Sequence, residues 1–321
     1  MEMIDKVEQL ITVSEKFLTD CLGVKPGENF LVVADEIKQE LAEAVCLAGK
    51  RLGAEAMLIV MGAREKPGQE PPAPVAAAMA SAQVVVAITQ QSLTHTQARK
   101  QAAAAGARIA TMPGITRDMF LAGAITADYT QVKELTEKVT ALLTKGREVR
   151  IEKQGYVLQF SIADRQGIAS TGVYTKPGES GNLPSGEAYI APLEGTANGQ
   201  ILIDGSFAGI GKLASPLLLT VEKGRLTRAE GPDAEALLSK LGDKDGRLLG
   251  EFGIGTNDKA RITGIILEDE KVCGTIHVAF GSNDTFGGTI SAGVHLDGVV
   301  TQPNVWLDGK AMMVAGKSVL D

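Results

Sequence analysis

Residues 29–61 read NFLVVADEIKQELAEAVCLAGKRLGAEAMLIVM, and this stretch decides the fold of the first half of the chain. Two β-rich apolar runs, NFLVVAD and AMLIVM, flank a segment whose apolar residues recur at helical spacing and which ends at Gly53. A strand, a helix and a second strand in this order predict two parallel strands joined by a helical crossover.

The same alternation continues to about residue 145. Two further β-rich runs, VVVAIT (84–89) and RIATM (108–112), are separated by the Ala-rich segment THTQARKQAAAAGA (94–107). We therefore predict an open, doubly wound α/β domain with a mostly parallel sheet over residues 1–146. No glycine-rich turn follows the first strand, so the sequence does not indicate a dinucleotide cofactor.

The pattern of apolar residues changes after residue 146. Alternating runs such as REVRIEK (147–153) and YVLQFSI (156–162) are followed by short runs between glycines, of which CGTIHVAF (273–280) is one. This pattern predicts a mainly antiparallel sheet. The segment DAEALLSKLG (233–242) predicts a helix. We expect an α+β domain over residues 147–321 and assign the metal-binding and catalytic functions to it.

Charge and hydropathy restrict the partners of the protein. The 321 residues carry a formal net charge of −7, whereas binding to nucleic acid or to an anionic membrane surface requires clustered Lys and Arg. No segment reaches the roughly 18 continuous apolar residues that span a bilayer. The N-terminus lacks the basic-then-apolar order of a signal peptide. We expect a cytoplasmic protein that acts on a peptide or small molecule, without nucleic-acid or membrane partners.

Two of the three histidines, His277 and His295, lie close together in the strand-rich half. Asp297 follows His295 at position i+2. Because residues i and i+2 of a strand project from the same face, His295 and Asp297 are placed to hold one ion together. A solvated surface strand is the alternative interpretation of this triplet.

Two glutamates, Glu187 and Glu251, lie among glycine and apolar residues. An unpaired buried carboxylate is costly, so a cation is a suitable partner for each of them, although capping of backbone amides in a turn is an alternative. Tyr189, two residues after Glu187, shares its strand face and is a candidate substrate-binding residue.

Four segments, GEAYIAP, GEFGIGTN, EKVCGTIHVAFGSN and GVHLDG, resemble in this order the metal-ligand motifs of the M29 (aminopeptidase T) metallopeptidase family. The stretch SLTHTQARKQAAAAGARIATMPGIT is similar to the N-terminal domain of that family. The resemblance implies a homodimeric aminopeptidase with two divalent ions (Zn, Co or Mn). The ligands that it implies are Glu187, Glu251, His277, His295 and Asp297.

Such a pair of ions would activate a water molecule for hydrolysis of the first peptide bond. Glu187 and Glu251 are the candidate catalytic residues, as bridging or proton-shuttling carboxylates. The chain departs from the family at Asp284, where the family peptidases have a tyrosine, and an anion there would not stabilise an oxyanion. We keep Asp284 as a candidate substrate-binding position.

Two other functions stay open. His277, His295 and Asp297 make a two-histidine, one-carboxylate set suited to a single non-haem Fe(II). Ring-cleaving dioxygenases of the dihydroxypyridine type resemble the same peptidase family. A non-catalytic metal-binding homologue is the third possibility. The presence of both Glu187 and Glu251 favours two ions and hydrolysis.

Overall fold

The structure is a computed structural model that describes residues 2–319, with side chains described from residue 7 onward. Its α-helices are α1 (Glu2–Asp20), α2 (Gln39–Arg51), α3 (Ala73–Ser81), α4 (Gln97–Ala104), α5 (Arg117–Ala122), α6 (Tyr129–Lys145), α7 (Ala234–Leu241) and α8 (Ile266–Asp269). Short 3-10 helices span Ala124–Thr126 and Asp245–Arg247. None of the described helices combines the length and the apolar character that crossing a membrane requires.

The strands are β1 (Asn29–Asp35), β2 (Glu55–Met61), β3 (Val84–Ile88), β4 (Arg108–Thr111), β5 (Glu148–Lys153), β6 (Tyr156–Ser161), β7 (Ile168–Ser170), β8 (Ser180–Asn182), β9 (Glu187–Ile190), β10 (Asn198–Ile203), β11 (Ser206–Phe207), β12 (Gly211–Lys212), β13 (Leu217–Glu222), β14 (Arg225–Glu230), β15 (Leu249–Gly255), β16 (Thr275–Gly281), β17 (His295–Thr301), β18 (Asn304–Leu307), β19 (Lys310–Val314) and β20 (Lys317–Ser318).

The chain forms two compact units. The first comprises Met1–Lys133 and Gly172–Ser185, and the second comprises Glu134–Thr171 and Gly186–Asp321. The division into domains 1–146 and 147–321 stays a prediction, and residues 1, 320 and 321 of those ranges lie outside the described residues.

The first unit contains a parallel sheet with the strand order β2-β1-β3-β4-β8. The order reverses direction at β1, which confirms the predicted open, doubly wound α/β fold. Every residue of β3 is buried, as expected for a central parallel strand covered on both faces. The short strand β8 was not predicted, because its residues, Ser-Gly-Asn, carry no strand propensity.

The second unit contains two antiparallel sheets. One has the strand order β14-β13-β10-β6-β5-β18-β19-β20, and the other has the order β12-β11-β17-β16-β15-β9-β7. One cluster of buried apolar residues includes side chains of both sheets, and the rings of Phe160 (β6) and Phe252 (β15) meet edge to face at 5.4 Å. The predicted mainly antiparallel α+β architecture is confirmed, and α7 lies within the predicted helix.

Candidate metal centre

Alternation along β16 separates a core face from a second face of the seven-stranded sheet. Ile276, Val278 and Phe280 belong to the buried apolar core. His277 and Ala279 therefore project from the opposite face, because successive side chains of a strand point to opposite sides. His277 is nevertheless fully buried. We call this second face of the sheet the ligand face.

The strand register brings Glu251 and Asp297 to the ligand face beside His277. Both residues lie directly opposite Ala279, Glu251 on β15 and Asp297 on β17. Residues directly opposite each other in an antiparallel pair point to the same side of the sheet. Ala279 contributes only a methyl group to this face, which leaves room between the two carboxylates.

The other two predicted ligands lie on the same face at its edges. Glu187 on β9 is opposite Gly255 of β15, and His295 on β17 is opposite Gly281 of β16. The four strands β9, β15, β16 and β17 are neighbours in the sheet. The structure thus brings all five sequence-predicted ligands to one face of four adjacent strands.

A β-bulge at Gly250 gives Glu251 its orientation. Leu249 is opposite Phe280 and Glu251 is opposite Ala279, so Gly250 is the extra residue on β15. In a regular strand Glu251, at position i+2 from Leu249, would share its core face, and the bulge turns it to the ligand face. The side-chain amide of Asn283 donates a hydrogen bond of 3.2 Å to the carbonyl oxygen of Gly250 and so stabilises the irregular backbone.

The ring of His277 requires a glycine at position 253. Gly253 lies directly opposite His277, and a Cβ on Gly253 would come within 2.0 Å of His277 Nε2 and 2.2 Å of its Cε1. Real Cβ contacts are never this short, so the imidazole occupies the space that a side chain would fill. Gly253 therefore sets the position of the imidazole over β15.

The acidic and imidazole groups form two sets of three. Glu187, Glu270 and His277 form the first set, and Glu251, His295 and Asp297 form the second. Within each set the ligand atoms all lie within 4.8 Å of one another. Glu251 links the two sets, since its Oε1 lies 3.2 Å from His277 Nε2 and its Oε2 lies 3.6 Å from His295 Nε2.

A backbone contact directs His295 at the carboxylates. Its Nδ1 lies 2.8 Å from the carbonyl oxygen of Ser282, which can only accept a hydrogen bond, so Nδ1 is the donor. The other ring nitrogen, Nε2, lies 3.4 Å from Asp297 Oδ1. Fixing one ring nitrogen on a carbonyl oxygen while the other faces the site is the usual support for a metal-binding histidine.

Two residues of the site, Glu270 and Lys271, were not predicted from the sequence. Lys271 is fully buried, and its Nζ lies 2.6 Å from Glu187 Oε1 and also donates to Glu270 Oε1. Burial lowers the pKa of Lys271, but the carboxylates of Glu187 and Glu270 raise it above its ordinary value. The sequence feature that could have indicated Glu270 and Lys271 is their place in the segment EKVCGTIHVAF, directly before the strand of His277.

The surrounding carboxylates also raise the pKa values of both histidines. Burial lowers the pKa of His277, but the hydrogen bond to Glu251 and the charge of Glu187 raise it to about 9. Burial likewise lowers the pKa of His295, yet Asp297 and Glu251 raise it to about 10. Burial raises the pKa of Glu270 to about 8, against the opposing charge of Lys271. The shifts of the two histidines reflect the negative charge of the carboxylates beside them.

The chemistry of the site fits a divalent metal ion. Carboxylate oxygens and imidazole nitrogens are the ligands that Fe, Mn and Zn share. Glu187 Oε2 is buried and has no hydrogen-bond partner among the described residues, while it lies 3.6 Å from His277 Nε2. A bare buried carboxylate oxygen is costly, and a nearby cation relieves that cost.

Aromatic side chains lie beside the ligands. Tyr189 follows Glu187 on the same face of β9 and is opposite Gly253. Its ring meets that of Phe286 edge to face at 5.4 Å, and Phe286 meets the ring of His295 in the same way at 5.9 Å. Asp284, the other predicted substrate-binding residue, is exposed. The sequence analysis missed Phe286, which occurs in a glycine-containing loop without strand or helix periodicity.

The loop that carries Phe286 is held in place by three polar side chains, those of Asn283, Glu194 and Arg165. The backbone N–H of Ile290 donates a hydrogen bond of 2.8 Å to the side-chain oxygen of buried Asn283. The backbone N–H of Thr289 donates a hydrogen bond of 2.8 Å to the carboxylate of Glu194. Arg165 binds Glu194 and also donates to the carbonyl oxygen of Gly287. These contacts fix the ends of the loop and so limit where Phe286 lies.

A family model and a curated relative that match the chain carry the same description. The chain matches the model of the family described as 2,5-dihydroxypyridine 5,6-dioxygenase (NicX) over residues 9–320. A curated 2,5-dihydroxypyridine 5,6-dioxygenase from Pseudomonas putida KT2440 is 25% identical over 200 residues. That alignment spans 56% of this chain and 56% of the length of the relative.

Two solved structures are similar in fold. The 2,5-dihydroxypyridine dioxygenase from Pseudomonas putida KT2440 superposes with a TM-score of 0.83 at 20% identity, over 98% of each chain. AmpT from Thermus thermophilus has a TM-score of 0.73 at 18% identity, over 98% of this chain and 99% of its own. The second likeness supports the predicted M29-like fold but no more than the fold.

The prediction of a hydrolase, specifically a metallo-aminopeptidase or protease, is wrong. The family match and the curated relative both name a dioxygenase instead. The prediction relied on Glu187 and Glu251 as two carboxylates free to bind two ions. In the structure, Glu187 forms an ion pair with Lys271, a partner that the sequence analysis did not anticipate.

Proposed function

The chain belongs to the family of 2,5-dihydroxypyridine 5,6-dioxygenases, and on this premise we propose that it is a metal-dependent dioxygenase that opens the ring of an aromatic diol. A dihydroxypyridine is the substrate class that the names of its relatives suggest. The reaction would add both atoms of one oxygen molecule to the ring and break the carbon–carbon bond between the two atoms that receive them.

The observation that carries this proposal is the position of the Glu251, His295 and Asp297 set next to an aromatic pair. The side chain of His295 is 31% exposed, whereas those of Glu251 and Asp297 are 9% and 11% exposed. The set is therefore reached from the side of His295. Phe286 and Tyr189 lie on that side, and aromatic rings favour edge-to-face contact with a planar substrate.

We propose that a single Fe(II) is the cofactor. Glu251, His295 and Asp297 would hold it, and His277, 3.2 Å from Glu251 Oε1, would complete the surroundings. Imidazole and carboxylate ligands that leave coordination positions open are typical of non-haem iron sites. Bound Fe(II) would activate molecular oxygen towards the ring, and the electrons that reduce the oxygen would come from the ring itself.

The protein residues would orient the diol and take up its proton. A diol binds a metal best after one hydroxyl is deprotonated, which requires an acceptor within hydrogen-bond reach. Glu187 is suited to this role because its buried Oε2 has no hydrogen-bond partner among the described residues. Ser282 would keep His295 Nε2 directed at the ion through its contact with Nδ1. Asp284 stays a candidate for contact with the outer part of the substrate.

Oxygen consumption tests the proposal. Protein loaded anaerobically with Fe(II) is expected to consume one oxygen molecule per molecule of 2,5-dihydroxypyridine and to incorporate both atoms of ¹⁸O₂ into the product. Metal-free protein is the control, and a free-amine peptide is expected to stay intact. Absence of oxygen uptake across a panel of dihydroxypyridines and catechols, with iron bound, would overturn the proposal.

Phe286→Ala is expected to weaken substrate binding. Loss of one edge-to-face aromatic contact is worth about 0.5–1.5 kcal/mol, which corresponds to a rise in KM of roughly 2- to 10-fold. Steady-state oxygen uptake measures this rise. Thr285→Ala changes an exposed neighbour in the same loop and is the matched control. An unchanged KM for Phe286→Ala would show that the ring does not contact the substrate.

A further inference from the structure

We propose that the ammonium group of Lys271 takes the place of a second metal ion beside Glu187 and Glu270, so that the protein binds one ion and binds it at Glu251, His295 and Asp297. This inference rests on the proposed metal-dependent function. It assigns a role to a residue that does not belong to either set of candidate ligands.

Lys271 contacts both carboxylates of the first set. Its Nζ lies 2.6 Å from Glu187 Oε1 and hydrogen-bonds Glu270 Oε1. An ammonium group has three donors and a single positive charge, so it can bridge two carboxylates much as an ion does. One oxygen of each of these carboxylates is therefore already occupied.

Burial makes the charge of Lys271 effective. Lys271 is fully buried, and the side chains of Glu187 and Glu270 are 9% and 13% exposed. Charges with little access to water are only weakly screened. A divalent ion held by Glu187, Glu270 and His277 would lie beside this ammonium and be repelled by it. The first set is thus neutralised by the chain itself.

The second set differs from the first in its partners. Among the residues that the structure describes, Glu251 and Asp297 form ion pairs with imidazoles and with no lysine or arginine. The two carboxylates therefore retain their affinity for a cation. The contrast between the two sets is the reason for assigning the single ion to Glu251, His295 and Asp297.

The backbone holds Lys271 firmly in this place. Its backbone N–H donates a hydrogen bond of 3.0 Å to the carbonyl oxygen of Glu268. Its own carbonyl oxygen accepts a hydrogen bond of 2.9 Å from the N–H of Asn257. The following carbonyl, that of Val272, packs against Gly255, where a Cβ would approach it within 2.1 Å. A lysine anchored so closely to β15 is part of the site and does not move freely.

Metal stoichiometry tests the inference. Metal-free protein is titrated anaerobically with Mn(II) by calorimetry, and bound Mn(II) is examined by electron paramagnetic resonance. The wild type is expected to bind one ion with the spectrum of an isolated centre. Lys271→Met, which keeps the length of the side chain and removes its charge, is expected to bind two ions with the spectrum of a coupled pair. Lys259→Met, at an exposed lysine, is the matched control and is expected to bind one.

Two bound ions in the wild type, or one ion in a folded Lys271→Met protein, would overturn the inference. The wild-type titration decides the question even where the variant does not fold without metal. Failure of the inference is distinct from failure of the proposed function. A two-ion protein that consumes oxygen contradicts the role of Lys271 alone, whereas a one-ion protein that consumes no oxygen with any diol contradicts the function alone.

Discussion

Asp297→Asn is expected to lower metal affinity and oxygen uptake by roughly 100-fold or more, because changes to groups that merely support a ligand already cost about 10- to 100-fold. Asp297 is buried and lies 3.4 Å from His295 Nε2. The amide keeps the shape of the side chain but removes the negative charge that holds the ion. Calorimetric titration with Mn(II) measures the affinity, and an oxygen electrode measures the activity.

The control for this change is Asp258→Asn, which removes the same charge from a side chain that is 65% exposed. It is expected to leave both measurements as in the wild type. Wild-type affinity in Asp297→Asn would show that Asp297 is not a ligand. Circular dichroism of the metal-free variant separates loss of the ligand from loss of the fold.

Gly253→Ala is expected to damage both stability and metal binding. The added methyl group would lie 2.0 Å from His277 Nε2, so the imidazole must move away from Glu251. Overpacking of a buried site typically costs about 1–3 kcal/mol in the free energy of unfolding. Denaturation in urea measures that cost, and metal titration of the folded variant measures the loss of affinity.

Gly62→Ala is the matched control, since its Cβ would find no heavy atom nearer than 3.7 Å. Its free energy of unfolding is expected to stay within about 0.5 kcal/mol of the wild type, as for most surface changes. If Gly253→Ala matched this control in stability and in metal affinity, the position of the His277 ring would not depend on Gly253.

Local patterns were enough to predict much of the fold and part of the site. Parallel strands alternating with helices in residues 29–112 follow from apolar runs whose spacing is a property of nearby residues. The shared face of His295 and Asp297 follows from the two-residue period of a strand. Each of these predictions depends only on residues close together in the chain, which is why the sequence could support them.

The rest depends on contacts between distant residues. Nothing in residues 180–182 indicates that they complete the parallel sheet next to β4. Lysine is almost never fully buried unless it is paired, so the position of Lys271 between Glu187 and Glu270 was not predictable from its own neighbours. The homodimer and the cytoplasmic location remain predictions.

The error in function has the same origin. Glu187, Glu251, His277, His295 and Asp297 were predicted as one set of ligands for two ions. The structure gathers them on one face, but a buried ammonium group beside Glu187 changes the charge available to a second ion. A set of ligand residues does not fix the chemistry of a site, because the neighbouring charges also determine which ions bind.

The bulge at Gly250 determines which face of the sheet carries Glu251. Counted along β15, Glu251 has the same parity as core-facing Leu249, and only the extra residue between them exchanges the two faces. If β15 paired regularly here with the same number of residues, this carboxylate would point into the apolar core. Sequences with identical ligand residues can therefore differ in whether the metal is bound at all, because the backbone conformation between Leu249 and Glu251 decides which face carries the carboxylate.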